Sequence, residues 1–434
     1  MSEWLQCIGC ERRFDSSEVR YTCDCGELLS VERSEMPDRA AFDARLSSRR
    51  TIDKSGVWRF REAVLDVDES EIVTHPEGAT RLYQRESGVG SRGSELGVGN
   101  RGSELASLLS DPRPPTPDPR TTIFFKHEGE NPTGSFKDRG MTVAMTQAKR
   151  LGARAVACAS TGNTSASLAA YAAQAGLRAI VFIPAGKVAT GKLAQTLAYG
   201  ATALHVRGDF DAAMRLVREA SDRLGIYLVN SINPFRIEGQ KTIVWELLQD
   251  LEWNAPDWIV VPAGNLGNTS AFGKALREAF DAGWIATMPR LASIQASGAN
   301  PFYRSYRDAF IQRHRINAET IASAIRIGDP VSHAKAVSAI KLTNGVVEEV
   351  TDQELMLAKR EIDEMGIGCE PASATTLAGV KKLRAAGIMN EGDRIVCVLT
   401  GHLLKDTDAI LRNVTPERTI EIDATIEAVE RALK

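Results

Sequence analysis

The chain reads as an α/β protein in which open, mostly parallel sheets are covered by helices, with a small Cys-rich ribbon at its front. Two observations carry this reading. From Thr121 onward, apolar β-rich runs at 121–125, 154–158, 178–183, 202–206, 226–229, 257–261, 291–295 and 394–399 alternate with helical stretches at 137–150, 164–175, 209–224, 236–251, 269–281, 351–365 and 373–386. Strands separated by helices of that length pair in parallel and are buried between helix layers. Before them, four of the seven cysteines fall within residues 7–25. At 434 residues the chain suits two or three domains.

The front contains Cys7-Ile-Gly-Cys10 and, after twelve intervening residues, Cys23-Asp-Cys25-Gly26. Two such knuckles present four thiolates to one tetrahedral metal, so Cys7, Cys10, Cys23 and Cys25 read as a zinc ribbon folding as its own small unit. The second knuckle is C-x-C where C-x-x-C is usual, and four reduced, metal-free cysteines are the alternative. The acids around them offset Arg12, Arg13 and Arg20, so the ribbon lacks a basic face for nucleic acid.

Residues 34–75 are mixed, with a helix expected near 36–47. Residues 87–120 read as an insertion: the tandem repeat G-V-G-S-R-G-S-E-L and G-V-G-N-R-G-S-E-L precedes a Pro-rich run. That composition buries too little apolar surface to offset the entropy of ordering, and a surface loop is expected.

Glu130–Gly140 reads E-N-P-T-G-S-F-K-D-R-G. Asn131-Pro132 and Gly134 form turns, Ser135 is expected to cap the next helix, and Asp138 sits in its first turn. Lys137 is therefore held at a helix start, where the helix dipole and partial burial both favour the neutral, nucleophilic amine. Three further loops follow apolar runs, where ligands of parallel sheets bind. Ser160-Thr161-Gly162-Asn163-Thr164 offers hydroxyls, an amide and helix-start N–H groups to a carboxylate or phenolic oxygen. Gly264-Asn265-Leu266-Gly267-Asn268 has glycines and asparagines that tolerate positive φ and let N–H groups converge on a phosphate. Thr400 in L-T-G-H places a hydroxyl at a strand end, and His402 reads as structural.

Lys+Arg is 53 and Asp+Glu 56, with no basic stripe, which argues against a nucleic-acid partner. There is no signal-peptide pattern and no apolar run long enough to span a bilayer, so a cytoplasmic, reduced protein is expected.

Together these segments resemble the pyridoxal-phosphate enzymes of the tryptophan-synthase-β fold (fold type II), and within them the threonine synthases. The resemblance runs from Arg59 to about Asp408 and continues through L-V-N-S-I-N-P-F-R-I-E-G-Q-K-T, A-I-R-I-G-D-P, E-P-A-S-A and L-T-G-H-x-L-K-D. The front resembles the ribbon of many members. Three departures stand out: Arg81 replaces proline in E-G-x-T-P-L, Leu403 follows T-G-H where glycine is common, and 87–120 lies outside the family pattern.

The resemblance implies that Lys137 carries pyridoxal 5'-phosphate and shuttles protons, Phe136 flanks the ring, and Asn163 meets its phenolic oxygen. Gly264, Asn265, Leu266, Gly267 and Asn268 would cradle the cofactor phosphate, and Thr400 would meet the ring nitrogen. Ser160, Thr161 and Thr164 would hold the substrate carboxylate, and Asn230, Ser231 and Arg236 its phosphate. The implied reaction converts O-phospho-L-homoserine and water into L-threonine and phosphate, in a homodimer. The implied domains are a ribbon (1–33), a large cofactor domain (34–140 with 236–434) and a small mobile domain (141–235) that closes over substrate. Other enzymes of the fold, a serine/threonine dehydratase or a synthase using O-phosphoserine, and a nonenzymatic binding protein using the ribbon, are the competing readings.

Overall fold

The computed structural model describes residues 2–86, 122–185, 190–208, 210–413 and 420–433, so the repeat and the Pro-rich run lie outside the described residues. Three sheets form. At the front, β1 (Glu3–Cys7), β2 (Arg13–Asp15) and β3 (Leu29–Arg33) make an antiparallel ribbon in the order β2-β1-β3. The other strands are β4 (Leu82–Glu86), β5 (Thr122–His127), β6 (Ala155–Ala159), β7 (Arg178–Pro184), β8 (Thr202–Val206), β9 (Tyr227–Leu228), β10 (Trp258–Pro262), β11 (Arg290–Ala296), β12 (Val346–Val350) and β13 (Ile395–Leu399). They form a six-stranded sheet, β12-β11-β10-β13-β5-β4, and a four-stranded sheet, β8-β7-β6-β9. All pairs in these two sheets are parallel except β4 with β5.

Each expected β run is found within about two residues, as boundary error allows. β4 and β12 were not expected, and both are edges of the large sheet. An edge strand is half-solvated, so L-Y-Q-R-E and V-V-E-E-V show neither a continuous apolar run nor clean alternation.

The helices that matter here are α1 (Lys137–Arg150), α2 (Asn163–Ala175), α3 (Thr190–Ala198), α4 (Phe210–Leu224), α5 (Pro234–Gln240), α6 (Thr242–Asp250) and α7 (Gly267–Asp281). The single helix expected over 236–251 is divided at Lys241 into α5 and α6, where the Thr242 hydroxyl takes the Gly239 carbonyl at 2.7 Å. The helix expected near 36–47 is a four-residue α turn, Ala40–Asp43, running into a 3-10 turn, Ala44–Ser47.

The ribbon is not separately packed, contrary to its expected independence. Leu5, Leu29 and Val31 belong to the same apolar cluster as Val143 of α1, Phe235 and Ile237 of α5, and Phe272 of α7. The ribbon therefore shares its core with α1, α5 and α7.

Candidate active site

The loop before α1 is fixed from below by buried charge. Arg139 Nε donates to Glu128 Oε2 at 2.6 Å and its Nη2 to Glu246 Oε1 at 2.7 Å, all three fully buried. Asn131 Nδ2 donates to the same Glu128 at 2.8 Å. A buried guanidinium needs partners of this kind, and here they lock the turn on which Lys137 stands. Ser135 does not cap α1: the residue at the cap is Phe136, and the Ser135 hydroxyl has no partner. No side chain caps the helix; Asp138 instead ties its first turn back to the loop, accepting from the Thr133 N–H at 2.7 Å and the Thr133 hydroxyl at 2.6 Å. Arg81, where proline would be common, donates its own N–H to Glu130 at 2.8 Å, a bond proline cannot make.

α1 and α5 cross with their backbones in contact. A Cβ on Gly239 would lie 1.7 Å from the Arg139 carbonyl oxygen, and one on Gly140 would lie 2.9 Å from that of Arg236. Only glycine permits this approach, and it sets Lys137 and Arg236 close enough to interact. Lys137 is half-buried with its amine 3.8 Å from the Phe136 ring centre. Burial, then the Arg236 charge, lower its pKa to about 7, while Glu370 opposes them. The amine is thus available in its neutral form near neutrality, as its place in the sequence suggests.

Arg236 is 2% exposed. Its Nη1 donates to the Val229 carbonyl at 3.2 Å, and its Nε has no partner. Burial lowers its pKa to about 10, with no carboxylate among the charges acting on it. A buried cation without a counter-ion is costly and marks a place for an anion. Ser231 accepts from Asn265 Nδ2 at 3.1 Å, tying this stretch to the Gly264–Asn268 loop. Asn230 is committed to structure at both ends of its amide, accepting from the Ala159 N–H at 3.0 Å and donating to the Ala159 carbonyl at 3.1 Å.

In the Gly264–Asn268 loop the residue with positive φ is Leu266, at 64°, rather than either glycine. The glycines serve close approach: a Cβ on Gly264 would stand 3.0 Å from the Ile325 Cα, and one on Gly267 3.2 Å from Gln240 Oε1. No side chain caps α7, and the buried Asn268 Oδ1 has no partner. An uncapped helix start, with its N–H groups free of side-chain acceptors, fits a phosphate group.

Asn163 and Thr400 meet on a residue given no role from the sequence. Glu370 accepts from Asn163 Nδ2 at 2.9 Å and from the Thr400 hydroxyl at 3.1 Å. Burial raises its pKa, against the pull of Asn163, Thr400 and Lys137. A Cβ on Gly401 would lie 2.4 Å from the Glu370 carboxyl carbon, so this glycine makes room for the acid. Ser373 accepts from the Thr400 N–H at 2.8 Å and exchanges a hydroxyl bond with Thr400 at 3.0 Å. Both Glu370 and Ser373 lie in E-P-A-S-A, whose only sequence signal was the family resemblance. Ser160, Thr161 and Thr164 are half-buried around the start of α2. His402 is structural, its Nδ1 accepting from the Leu404 N–H at 3.1 Å.

At the front, the Sγ atoms of Cys7, Cys10, Cys23 and Cys25 lie within 4.8 Å of one another. Cys7 to Cys25 is 3.5 Å, Cys10 to Cys23 3.6 Å and Cys10 to Cys25 3.7 Å. The N–H groups of Gly9 and Cys10 each donate to Cys7 Sγ at 3.4 Å.

A family description of pyridoxal-phosphate dependent enzymes matches residues 111–401. The threonine synthase of Methanocaldococcus jannaschii is 44% identical over 439 residues, covering 99% of each chain. That of Methanosarcina acetivorans is 42% identical over 432 residues, covering 99% of this chain and 98% of its own. Among solved structures, threonine synthase from Escherichia coli aligns with a TM-score of 0.66 at 18% identity, covering 99% of this chain and 94% of its own, a likeness of fold. With near-complete coverage at such identity, the chain belongs to the threonine synthase family of pyridoxal-phosphate dependent enzymes.

Proposed function

We propose that this cleft converts O-phospho-L-homoserine and water into L-threonine and phosphate. The observation that carries the reading is Arg236, a buried cation with an unpartnered Nε next to a lysine of lowered pKa. A serine/threonine dehydratase has no substrate phosphate to balance that charge. Phosphate release from phosphohomoserine by the purified protein tests it.

The residues present fit pyridoxal phosphate: an amine free to attach, an uncapped helix start for the phosphate, and the Asn163–Glu370–Thr400 set for the ring. The bound cofactor supplies an electron sink for carbanion chemistry. Lys137, neutral near pH 7, accepts and returns protons at its Nζ. Arg236 and Ser231 hold the substrate phosphate, and the guanidinium fork fixes its orientation. Ser160, Thr161 and Thr164 hold the carboxylate at the start of α2. Glu370 keeps Asn163 and Thr400 aimed at the ring, and Phe136 walls one side. Asn230 serves mainly to brace the end of β6. The four-stranded unit within 141–235 closes over the substrate and excludes premature water. The Lys405 ammonium, which donates to Gln195 of α3 at 2.6 Å, is a contact across that closure.

An outcome for pH follows from Lys137. Apo-protein takes up pyridoxal phosphate faster as pH rises through about 7, where the amine loses its proton, and the rate levels off above it. A solvated lysine would shift this rise to roughly pH 10.4. Stopped-flow absorbance across pH 5.5 to about 9 separates the two.

The four thiolates take one zinc. A tetrahedron with Zn–S of about 2.3 Å has S···S edges of about 3.8 Å, close to the separations at the front. Protein purified without chelators carries about one zinc per chain, and Cys7→Ser releases it; metal analysis finding none contradicts this.

A further inference from the structure

The ribbon touches the chain at both ends of the segment that carries Arg236. Tyr21, two residues before Cys23, reaches the edge of the four-stranded sheet, where the Leu228 N–H donates to its phenol oxygen at 2.7 Å. Its ring lies edge-on to Tyr227, with centroids 5.9 Å apart. At the other end, Arg33 of β3 donates Nη1 to Glu238 Oε2 at 2.5 Å and Nη2 to Glu3 Oε2 at 2.6 Å. Its side chain is 4% exposed and that of Glu238 fully buried. Glu238 stands two residues beyond Arg236 on α5 and also receives Lys241 at 2.6 Å and Lys274 at 2.5 Å. Lys274 in turn donates to the Val31 carbonyl, and Lys335 donates to that of Leu29 at 2.5 Å, so β3 is stitched to the same cluster.

Residues 228 and 238 are thereby both held by the Cys-rich front, one through Tyr21 in the turn between β2 and β3 and the other through Arg33 of β3, and Ser231 and Arg236 lie between the two contacts. α5 has only seven residues, too few to hold its own position without packing. Its one anion-facing cation must be placed before substrate arrives if its charge is to be used efficiently. The charge cluster and the phenol contact serve no step assigned above to any other residue.

We propose that the ribbon is a clamp for the substrate phosphate, in which Tyr21 and Arg33 are positioning residues that fix the 228–238 span and so aim Arg236. This rests on the reading of Arg236 as the phosphate anchor. The clamp sets affinity for the phosphate group; its one link to the Gly264–Asn268 loop given above runs through Ser231, so the cofactor absorption band is the control for that loop.

The test uses full-length holoenzyme and inorganic phosphate as a competitive probe. Tyr21→Phe removes the acceptor oxygen while keeping the ring. It should weaken phosphate inhibition and raise KM for phosphohomoserine by about two- to tenfold, the effect of one lost hydrogen bond, with kcat and the cofactor absorption band unchanged. Arg33→Gln should move the same two constants in the same direction. A ribbon with a merely structural role would lower Tm and yield but leave both constants of the folded enzyme at wild-type values. If Tyr21→Phe leaves phosphate inhibition and KM unchanged, the clamp is overturned, whether or not Arg33→Gln folds. Arg236→Ala is the control: if it retains phosphate inhibition, the anchor reading beneath the clamp fails instead.

Discussion

Lys137→Ala is expected to lose the visible absorption of bound cofactor and about a thousandfold or more in turnover, the scale of removing a positioned acid–base group that is also the attachment point. Three features of the site make the loss this large. The amine stands on the first turn of α1, over a loop locked by the Arg139–Glu128–Glu246 cluster. Its pKa is lowered to about 7 by burial and the Arg236 charge, so it can both give and take a proton at working pH. No neighbouring amine can stand in, because Lys405 is held by Gln195 and its pKa, although lowered by burial, comes with a different position. Absorbance and phosphate release measured on the same preparation check both effects. A variant that keeps full turnover removes Lys137 from the mechanism.

Arg236→Ala is expected to lower kcat/KM for phosphohomoserine by about ten- to a hundredfold, since a charge-assisted hydrogen bond contributes roughly 1.5–3 kcal/mol. The cofactor band should persist, because the place proposed for the cofactor phosphate is the start of α7, apart from Arg236. Arg236→Lys should not restore full activity, since an ammonium lacks the planar fork. Lysine would also bring a single charge on a flexible stem into a site where Nε is aimed and unpartnered. Steady-state kinetics of both variants, with the spectrum as control, decide the matter. Wild-type kcat/KM in Arg236→Ala would take away the physical basis for choosing a phosphorylated substrate.

Much of this was legible in the sequence because the signals were local. Parallel strands buried on both faces announce themselves as apolar runs, and α1 begins at Lys137 where the turn residues before it predict. The loops at 160, 230, 264 and 400 all follow strands, since function on this architecture gathers at strand ends. What escaped were pairings that only the fold creates. Glu370 joins Asn163 and Thr400 across more than 200 residues of chain, and no local pattern announces such a meeting. Arg139 sat inside the quoted motif, yet its partners Glu128 and Glu246 are separated by 118 residues. The positive φ falls on Leu266, while the two glycines of that loop provide room for close neighbours. Arg236 looked like a residue near a helix start; its burial and unpartnered Nε are visible only in three dimensions. The ribbon's attachment to α5 was hidden for the same reason, through Arg33 and Glu238, 205 residues apart.

The most direct measurement is the product pair formed from O-phospho-L-homoserine by purified, cofactor-loaded protein. L-Threonine and inorganic phosphate should appear together in equal amounts, at a rate that Arg236→Ala lowers. An enzyme that releases no phosphate from phosphohomoserine but deaminates serine or threonine would contradict the assignment of this cleft.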